Sequence, residues 1–272
     1  MKIKILFFQF FCLVISNFSQ TSIEEITKNY SVKSEWSNYF EKVNLDGTFI
    51  LYNKTKDSLL VNNLERSQKQ FLPASTFKIP NSLISLETKV IADENEIIKW
   101  DGEKRFIDNW NQDHNLKSGM KYSVVWFYQE LARRIGFEKM QEYVIKINYG
   151  NKKLGDKIDT FWLEGDLRIS AVKQILFLNK FIKNELPFSK RNMEIVKNIM
   201  LVDSSETYKL YAKTGWSARV EKDEQIGWYV GFVETKNDTW IYAINIDIKK
   251  DEDLIQRINI TREILKSNGI IN

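Results

Sequence analysis

The sequence has 272 residues, of which 43% are hydrophobic and 28% are charged, with a formal net charge of +4. This composition suits one large globular domain and is too apolar for a disordered chain. The chain has one His and one Cys, so we do not expect a zinc site, which takes several ligands from Cys, His and carboxylates. A Ser-His-Asp triad would need His114, whose polar neighbours at 111–115 predict a solvated loop. A catalytic base, if there is one, is therefore expected to be a Lys or a carboxylate.

The first 19 residues have the pattern of a secretory signal peptide. A basic start precedes an apolar run at 5–15, which is shorter than the roughly 20 residues that span a bilayer. Cleavage would remove two lysines and Cys12, and would leave residues 20–272 as a single domain with a net charge of +2. Because the remaining basic residues are scattered among acidic ones, we do not expect nucleic-acid binding. Because no later segment is long and uncharged enough to span a bilayer, we do not expect a membrane anchor after cleavage.

The hydrophobic periodicity changes twice along the mature chain. It predicts strands at 47–52 and 58–62, a mostly helical region at 76–200, a hairpin of strands at 226–234 and 239–248, and a helix at 254–265. Strands at both ends that enclose helices predict an α/β (α+β) fold: one antiparallel sheet built from both chain termini, flanked by helices, with an inserted mostly helical lobe. An active site is expected at the seam between sheet and lobe.

The clearest chemical motif is Ser75-Thr76-Phe77-Lys78, which follows Pro73. Pro73 favours a helix start, which would put Ser75 in the first turn and Lys78 on the same face. A Lys can take the proton of a Ser hydroxyl only if burial lowers its pKa, and a helix N-terminus offers amides to an oxyanion. Alone, this tetrad is common, and it usually marks a helix face with an exposed Lys.

Two further motifs follow in a specific order: Ser123-Val124-Val125 at the start of a predicted helix, and Lys213-Thr214-Gly215 before the final hairpin. With these, the sequence resembles the serine penicillin-recognising family and, within it, the class D β-lactamases, or oxacillinases. The similarity covers nearly the whole mature chain and implies a β-lactamase/transpeptidase-like fold. Further matching segments are 73–81, 125–136, Tyr149-Gly150-Asn151, Phe161-Trp162-Leu163-Glu164-Gly165 and 227–231.

The resemblance implies that Ser75 attacks the lactam carbonyl and forms an acyl-enzyme. The backbone amides of Ser75 and Trp216 would bind the oxyanion. Ser123 would relay a proton to the lactam nitrogen, with Lys213 beside it.

The resemblance also implies that the substrate carboxylate is held by Lys213 and Thr214 together with Arg257. For two of these residues a simpler interpretation is also open. Lys213 in a turn would be solvated, and Arg257 could be an ordinary surface residue of the last helix.

In class D enzymes the active-site Lys reacts with carbon dioxide, and the resulting carbamate acts as general base, so the resemblance implies N6-carboxylated Lys78 and no cofactor beyond CO2 or bicarbonate. Only a neutral amine reacts, so burial near Val125, Trp162 and Leu163 would favour the modification. The Trp162 indole N–H could donate to the carbamate. Val125 and Leu163 would be apolar lids that limit water, or plain core.

Three functions remain open at this point. The first is a secreted periplasmic class D β-lactamase that hydrolyses penicillins and confers resistance, as a monomer or homodimer. The others are a cell-wall transpeptidase or carboxypeptidase and the extracellular β-lactam sensor of an induction system. The role of Arg219 and the substrate spectrum, which depends on loops around Trp110, Trp216 and the 217–225 segment, are not fixed by the sequence.

Overall fold

The structure is a computed structural model, which describes residues 25–217 and 225–272. The predicted signal peptide at 1–19 and Arg219 lie outside the described residues. Within the described ranges, no helix is both long and apolar enough to cross a membrane.

A seven-stranded sheet forms the centre of the molecule. Its strands are β1 (Tyr30–Val32), β2 (Gly47–Asn53), β3 (Ser58–Val61), β4 (Leu201–Ser204), β5 (Tyr208–Trp216), β6 (Ile226–Thr235) and β7 (Thr239–Asp247), and they lie in the order β1-β3-β2-β7-β6-β5-β4. The central β2–β7 pair joins a strand from each end of the chain, which confirms the prediction of one sheet from both termini. Neighbouring strands are antiparallel except at one edge, where β1 is parallel to β3.

The hairpin of β6 and β7 is buried on both faces, as its nearly continuous apolar sequence predicts. Alternate residues enter different cores because side chains of a strand point to opposite faces in turn. Val230 and Phe232 pack towards the helical lobe. Tyr229 and Val233 pack on the other face, in the core that includes Ile264 of the C-terminal helix. The sheet therefore separates two cores and supports the helical lobe on one side.

The middle of the chain is mostly helical, as predicted. Several helices begin at a polar cap: Asn115 forms a capping box with Ser118 before the helix that starts at Leu116, and Ser170 and Ser189 cap the helices that start at Ala171 and Lys190. The helices are α1 (Ser37–Glu41), α2 (Leu64–Gln68), α3 (Lys78–Glu87), α4 (Leu116–Lys121), α5 (Val125–Ile135), α6 (Phe137–Lys146), α7 (Ala171–Ile182), α8 (Lys190–Ile199) and α9 (Gln256–Ser267).

The prediction of a solvated His114 is wrong, since its side chain is fully buried. Its ring nitrogens lie 2.9 Å from Ser118 Oγ and 2.9 Å from the Asn109 carbonyl oxygen, and its backbone pairs with Ile98. Burial lowers the pKa of His114. The polar neighbours that indicated a loop concealed a side chain whose two ring nitrogens both find partners in the fold.

Candidate active site

Ser75 lies in a short 3₁₀ turn, Ala74–Phe77, that leads directly into α3. Ala74 has a φ of +48°, a left-handed conformation that costs a residue with a Cβ about 1–2 kcal/mol. Its amide donates to the Trp162 carbonyl at 2.9 Å, which helps to hold the strained residue in place. The turn leaves the Ser75 side chain at the wall of a cleft.

Lys78 is the first residue of α3 and is only 1% exposed. Its Nζ lies 3.0 Å from Ser75 Oγ and 5.0 Å from the centre of the Tyr128 ring. Burial lowers the pKa of Lys78 well below its usual value, and the charge of Lys213 lowers it further. The structure therefore brings together the predicted Ser–Lys pair and places the amine where its neutral form is favoured.

A second Ser–Lys pair lies across the cleft. Lys213 Nζ is 3.1 Å from Ser123 Oγ and 3.3 Å from Thr214 Oγ1. Burial lowers the pKa of Lys213 to about 7, with a further contribution from the charge of Arg257. The alternative of a solvated Lys213 in a turn is wrong, because the residue is within strand β5 and 4% exposed. Ser123 precedes α5, which begins at Val125, and has a left-handed φ of +54°.

The amide of Trp216 points away from the neighbouring strand β6. Ser217 N donates to the Ile226 carbonyl at 3.1 Å, and Trp216 is opposite Gly227 in the same ladder. Because hydrogen-bonded and non-hydrogen-bonded pairs alternate in an antiparallel ladder, the Trp216 amide faces the other edge of β5. Trp216 and Ser75 both line the cleft, so this orientation suits the predicted pair of oxyanion donors.

Arg257 extends from α9 to the same cleft, which rules out the surface-helix alternative. Its Nη1 donates to the Gly215 carbonyl at 3.2 Å. Burial lowers the pKa of Arg257 to about 10, so its guanidinium stays charged at neutral pH. Arg257 and Thr214 thus add a cation and a hydroxyl to the cleft end of β5.

Trp162 is fully buried and stacks on Phe77, with ring centres 5.7 Å apart. Its Nε1 is buried and has no hydrogen-bond acceptor among the described residues. A buried N–H without a partner costs about 1–3 kcal/mol, so this donor calls for an explanation. Val125 and Leu163 both line the cleft with Ser75, and both also belong to the apolar packing of the helical lobe, Leu163 within the core and Val125 against it.

The cleft has a volume of about 300 Å³ and a mostly apolar wall. None of the described residues that line it is an acid or a His, and the described chain contains no group of His, Cys, Asp or Glu that could hold a metal ion. Lys78 and Lys213 lie behind this wall. The lining residues are Ser75, Phe106, Ile107, Trp110, Tyr122, Ser123, Val125, Leu163, Thr214, Gly215, Trp216 and Arg257.

Sequence reasoning missed several residues of the site. Phe106 and Ile107 lie at the cleft, and the Phe106 side chain is 84% exposed and contacts Trp110. In the sequence, the one indication of this role is that these two residues form an apolar pair within a polar, irregular segment. Tyr128, under Lys78, looked like one more apolar position of α5, and no pattern in the sequence separates it from the rest of the core.

Comparisons with known proteins agree with this geometry. The family described as "Penicillin binding protein transpeptidase domain" matches residues 24–266. Beta-lactamase OXA-48 of Klebsiella pneumoniae is 44% identical over 246 residues, which are 90% of this chain and 92% of the relative. The probable beta-lactamase YbxI of Bacillus subtilis is 42% identical over 226 residues, which are 83% of this chain and 82% of the relative.

Solved structures of class D β-lactamases also resemble this chain. The class D beta-lactamase FUS-1 (OXA-85) of Fusobacterium nucleatum subsp. polymorphum superposes with a TM-score of 0.85 at 40% identity, and the match covers 89% of this chain and all of that one. The class D enzyme YbXI from Nostoc gives a TM-score of 0.85 at 41% identity with the same coverage. With the Ser–Lys pairs in place and relatives of this similarity over most of its length, the chain belongs to the class D β-lactamases, a branch of the penicillin-binding transpeptidase family.

Proposed function

We propose that this protein hydrolyses the β-lactam amide of penicillins through an acyl-enzyme on Ser75, with N6-carboxylated Lys78 as general base. The observation that carries the proposal is the 3.0 Å contact between Ser75 Oγ and a Lys78 amine that is 1% exposed. We further propose that cleavage of residues 1–19 releases the enzyme to the bacterial periplasm, where it confers β-lactam resistance. The signal-like sequence at the N-terminus supports that location.

Acylation begins with attack by Ser75 Oγ on the lactam carbonyl carbon, while its proton moves towards the Lys78 side chain. The backbone amides of Ser75 and Trp216 hold the oxygen that becomes negative, which is worth about 3–4 kcal/mol per donor in comparable sites. The C–N bond then breaks, and the lactam nitrogen takes a proton through Ser123. Lys213, 3.1 Å from Ser123 Oγ, keeps this side of the cleft positive.

The surroundings of Lys78 fit a carboxylated side chain. A neutral amine forms an N–C bond with CO2 and releases one proton, and burial keeps this amine neutral. The modified side chain would supply a base that accepts a proton from Ser75 and later from a water molecule. Trp162 stacks on Phe77, the residue before Lys78, and its buried Nε1 lacks an acceptor among the described residues, so it would be the donor to the new anion.

The substrate carboxylate would be held at the other end of the cleft. Arg257 offers a guanidinium fork, and Thr214 and Lys213 offer a hydroxyl and an ammonium from β5. Val125 and Leu163 would restrict the access of water to the ester.

The test is steady-state hydrolysis of a chromogenic β-lactam by residues 20–272, in CO2-depleted buffer with and without added bicarbonate, followed by intact-mass analysis. We expect turnover that bicarbonate increases and a mass increase of one CO2 that Lys78→Ala removes. Ser75→Ala should show neither turnover nor an acyl adduct. A stable acyl adduct with little turnover at any bicarbonate concentration would contradict the proposal and favour a sensor or a cell-wall transpeptidase.

A further inference from the structure

The turn that carries Ser75 is closed by the neighbouring side chain. Thr76 is fully buried, and its Oγ1 donates to the Pro73 carbonyl at 2.7 Å. This bond spans the strained residue Ala74 and runs alongside the backbone bond from Thr76 N to the same carbonyl, at 3.1 Å. The Thr76 hydroxyl thus helps to set the direction in which the Ser75 amide and side chain point.

Gln174, a residue of α7 that is 1% exposed, holds this hydroxyl from behind. Its Nε2 donates to Thr76 Oγ1 at 2.9 Å, across 98 residues of sequence. An amide nitrogen only donates, so the Thr76 oxygen must accept here, and its single proton is left for the Pro73 carbonyl. Gln174 therefore fixes the direction of the hydrogen bond that closes the turn.

The contact is enclosed by aromatic rings and does not reach the cleft. Tyr149 is fully buried, its hydroxyl has no hydrogen-bond partner among the described residues, and its ring packs edge-on against Phe77 with centres 5.5 Å apart. In such a site a lost hydrogen bond leaves its partner unsatisfied, because water cannot readily replace it. The turn is also pressed against β5, where a Cβ on Gly215 would meet the Pro73 carbonyl oxygen at 3.1 Å, so it has little room to relax.

We infer that Gln174 is a positioning residue for the nucleophile: by orienting the Thr76 hydroxyl, it holds Ser75 Oγ and the Ser75 amide in the geometry for attack and oxyanion binding. The inference rests on Ser75 being the nucleophile of the proposed function. Gln174 and Thr76 lie outside the cleft lining, so the effect is on the rate of acylation and not on the binding of substrate. Small displacements of a nucleophile lower the reaction rate strongly, because catalysis depends on near-attack geometry.

The experiment uses Gln174→Met and Thr76→Val, which keep side-chain size and remove the polar contact, and their double variant. Acylation by a penicillin is followed by rapid quench and intact mass, melting temperature by circular dichroism, and penicillin affinity in a Ser75→Ala background. We expect each single variant to lower the acylation rate about tenfold with substrate affinity unchanged. The double variant should be no slower than the worse single one, because residues that act as a unit are not additive.

Two controls separate positioning from general stability. Thr76→Ser keeps the hydroxyl and should restore acylation to within about twofold of the original rate. Thr88→Val removes a comparable hydroxyl bond at the other end of α3, to the Ile84 carbonyl at 2.7 Å, and should lower the melting temperature without changing acylation.

Other results would overturn the inference. Single variants that melt at lower temperature but acylate at the original rate would show a structural role only. Additive losses in the double variant would show that Gln174 does not act through Thr76. Absence of acylation in the unmodified protein, by contrast, would refute the role of Ser75 and hence the proposed function itself.

Discussion

Two buried Ser–Lys pairs face each other across one cleft, and they differ mainly in their surroundings. Lys78 and Lys213 lie 3.0 and 3.1 Å from their serines and are 1% and 4% exposed. Both have a lowered pKa, and burial is the larger cause in each case. Contact distance and burial alone therefore do not distinguish a base from a fixed charge.

The two lysines differ in the residues that surround them. Lys78 lies at the start of a helix, over the face of Tyr128, which belongs to the same core as Trp162. Lys213 lies in a strand, where it also contacts the Thr214 hydroxyl and is affected by the charge of Arg257. The first environment favours a neutral amine that can be modified. In the second, burial and Arg257 lower the pKa of Lys213 to about 7, so the carboxylate of a bound substrate would be needed to favour the charged form of Lys213.

Lys78→Ala should have the largest effect, because it removes the proposed base. We expect turnover to fall by roughly a thousandfold or more, with the fold retained because the apolar walls of the pocket stay in place. Initial rates with a chromogenic β-lactam measure the loss, and circular dichroism checks the fold. Penicillin hydrolysis at the original rate by this variant would contradict the assignment of Lys78 as the general base.

Trp162→Phe tests the aromatic wall of the first pair. The substitution keeps a six-membered ring against Phe77 and removes the five-membered part of the indole with its N–H, so the proposed anion on Lys78 loses one donor and the core loses some volume. A hydrogen bond to a charged group is worth about 1.5–3 kcal/mol, and we expect deacylation to slow by about tenfold to a hundredfold. Single-turnover release of penicilloate, followed by mass, gives the rate.

Trp36→Phe is a matched control, since this Trp is buried on the opposite face of the sheet against Phe49. It should leave deacylation unchanged. Equal rates for Trp162→Phe and the unmodified protein would mean that the unpartnered Nε1 has no role in the reaction.

Arg257→Ala tests the charged wall of the second pair. We expect KM for penicillin to rise about tenfold with a smaller change in kcat, because the lost contact is to the substrate carboxylate in both ground and transition states. Arg262→Ala, on the same helix and paired with Asp203 at 2.8 Å, serves as the control and should leave KM unchanged. A fall in kcat at constant KM would instead place Arg257 on the catalytic step.

The sequence predicted the residues of both pairs more reliably than their local structure. Three short motifs in a specific order identified Ser75, Ser123 and Lys213, because motifs and their spacing can be read directly from the sequence. The strand around Lys213 was missed, since Lys213, Thr214 and Gly215 in succession have the composition of a turn. Burial of His114 was missed for a related reason: a local pattern of polar neighbours cannot show which side chain turns inward to partners that the fold brings close.

The contacts behind the site were not predictable in the same way. Gln174 and Thr76 are 98 residues apart and join only when α7 packs behind the Ser75 turn. Nor could the sequence show that Trp162 Nε1 is left without an acceptor among the described residues, because that depends on the whole set of neighbours.

The smallest effect that we predict is a change in the pKa of Lys78 when the charge of Lys213 is removed, which would link the two Ser–Lys pairs. The cation of Lys213 lowers the pKa of Lys78, so Lys213→Met should raise that pKa. Below its pKa the Lys78 amine is protonated and cannot react with CO2. The pH at which half of Lys78 is carboxylated should therefore move upward in Lys213→Met, and stay near the original value in Lys213→Arg, which keeps the charge. Carbon-13 NMR of the protein in labelled bicarbonate measures this midpoint without reference to turnover. An unchanged midpoint in Lys213→Met would mean that burial among the aromatic rings sets the state of Lys78 by itself and that the two pairs titrate independently. A lower midpoint would mean that Lys213 does not act on Lys78 as a positive charge.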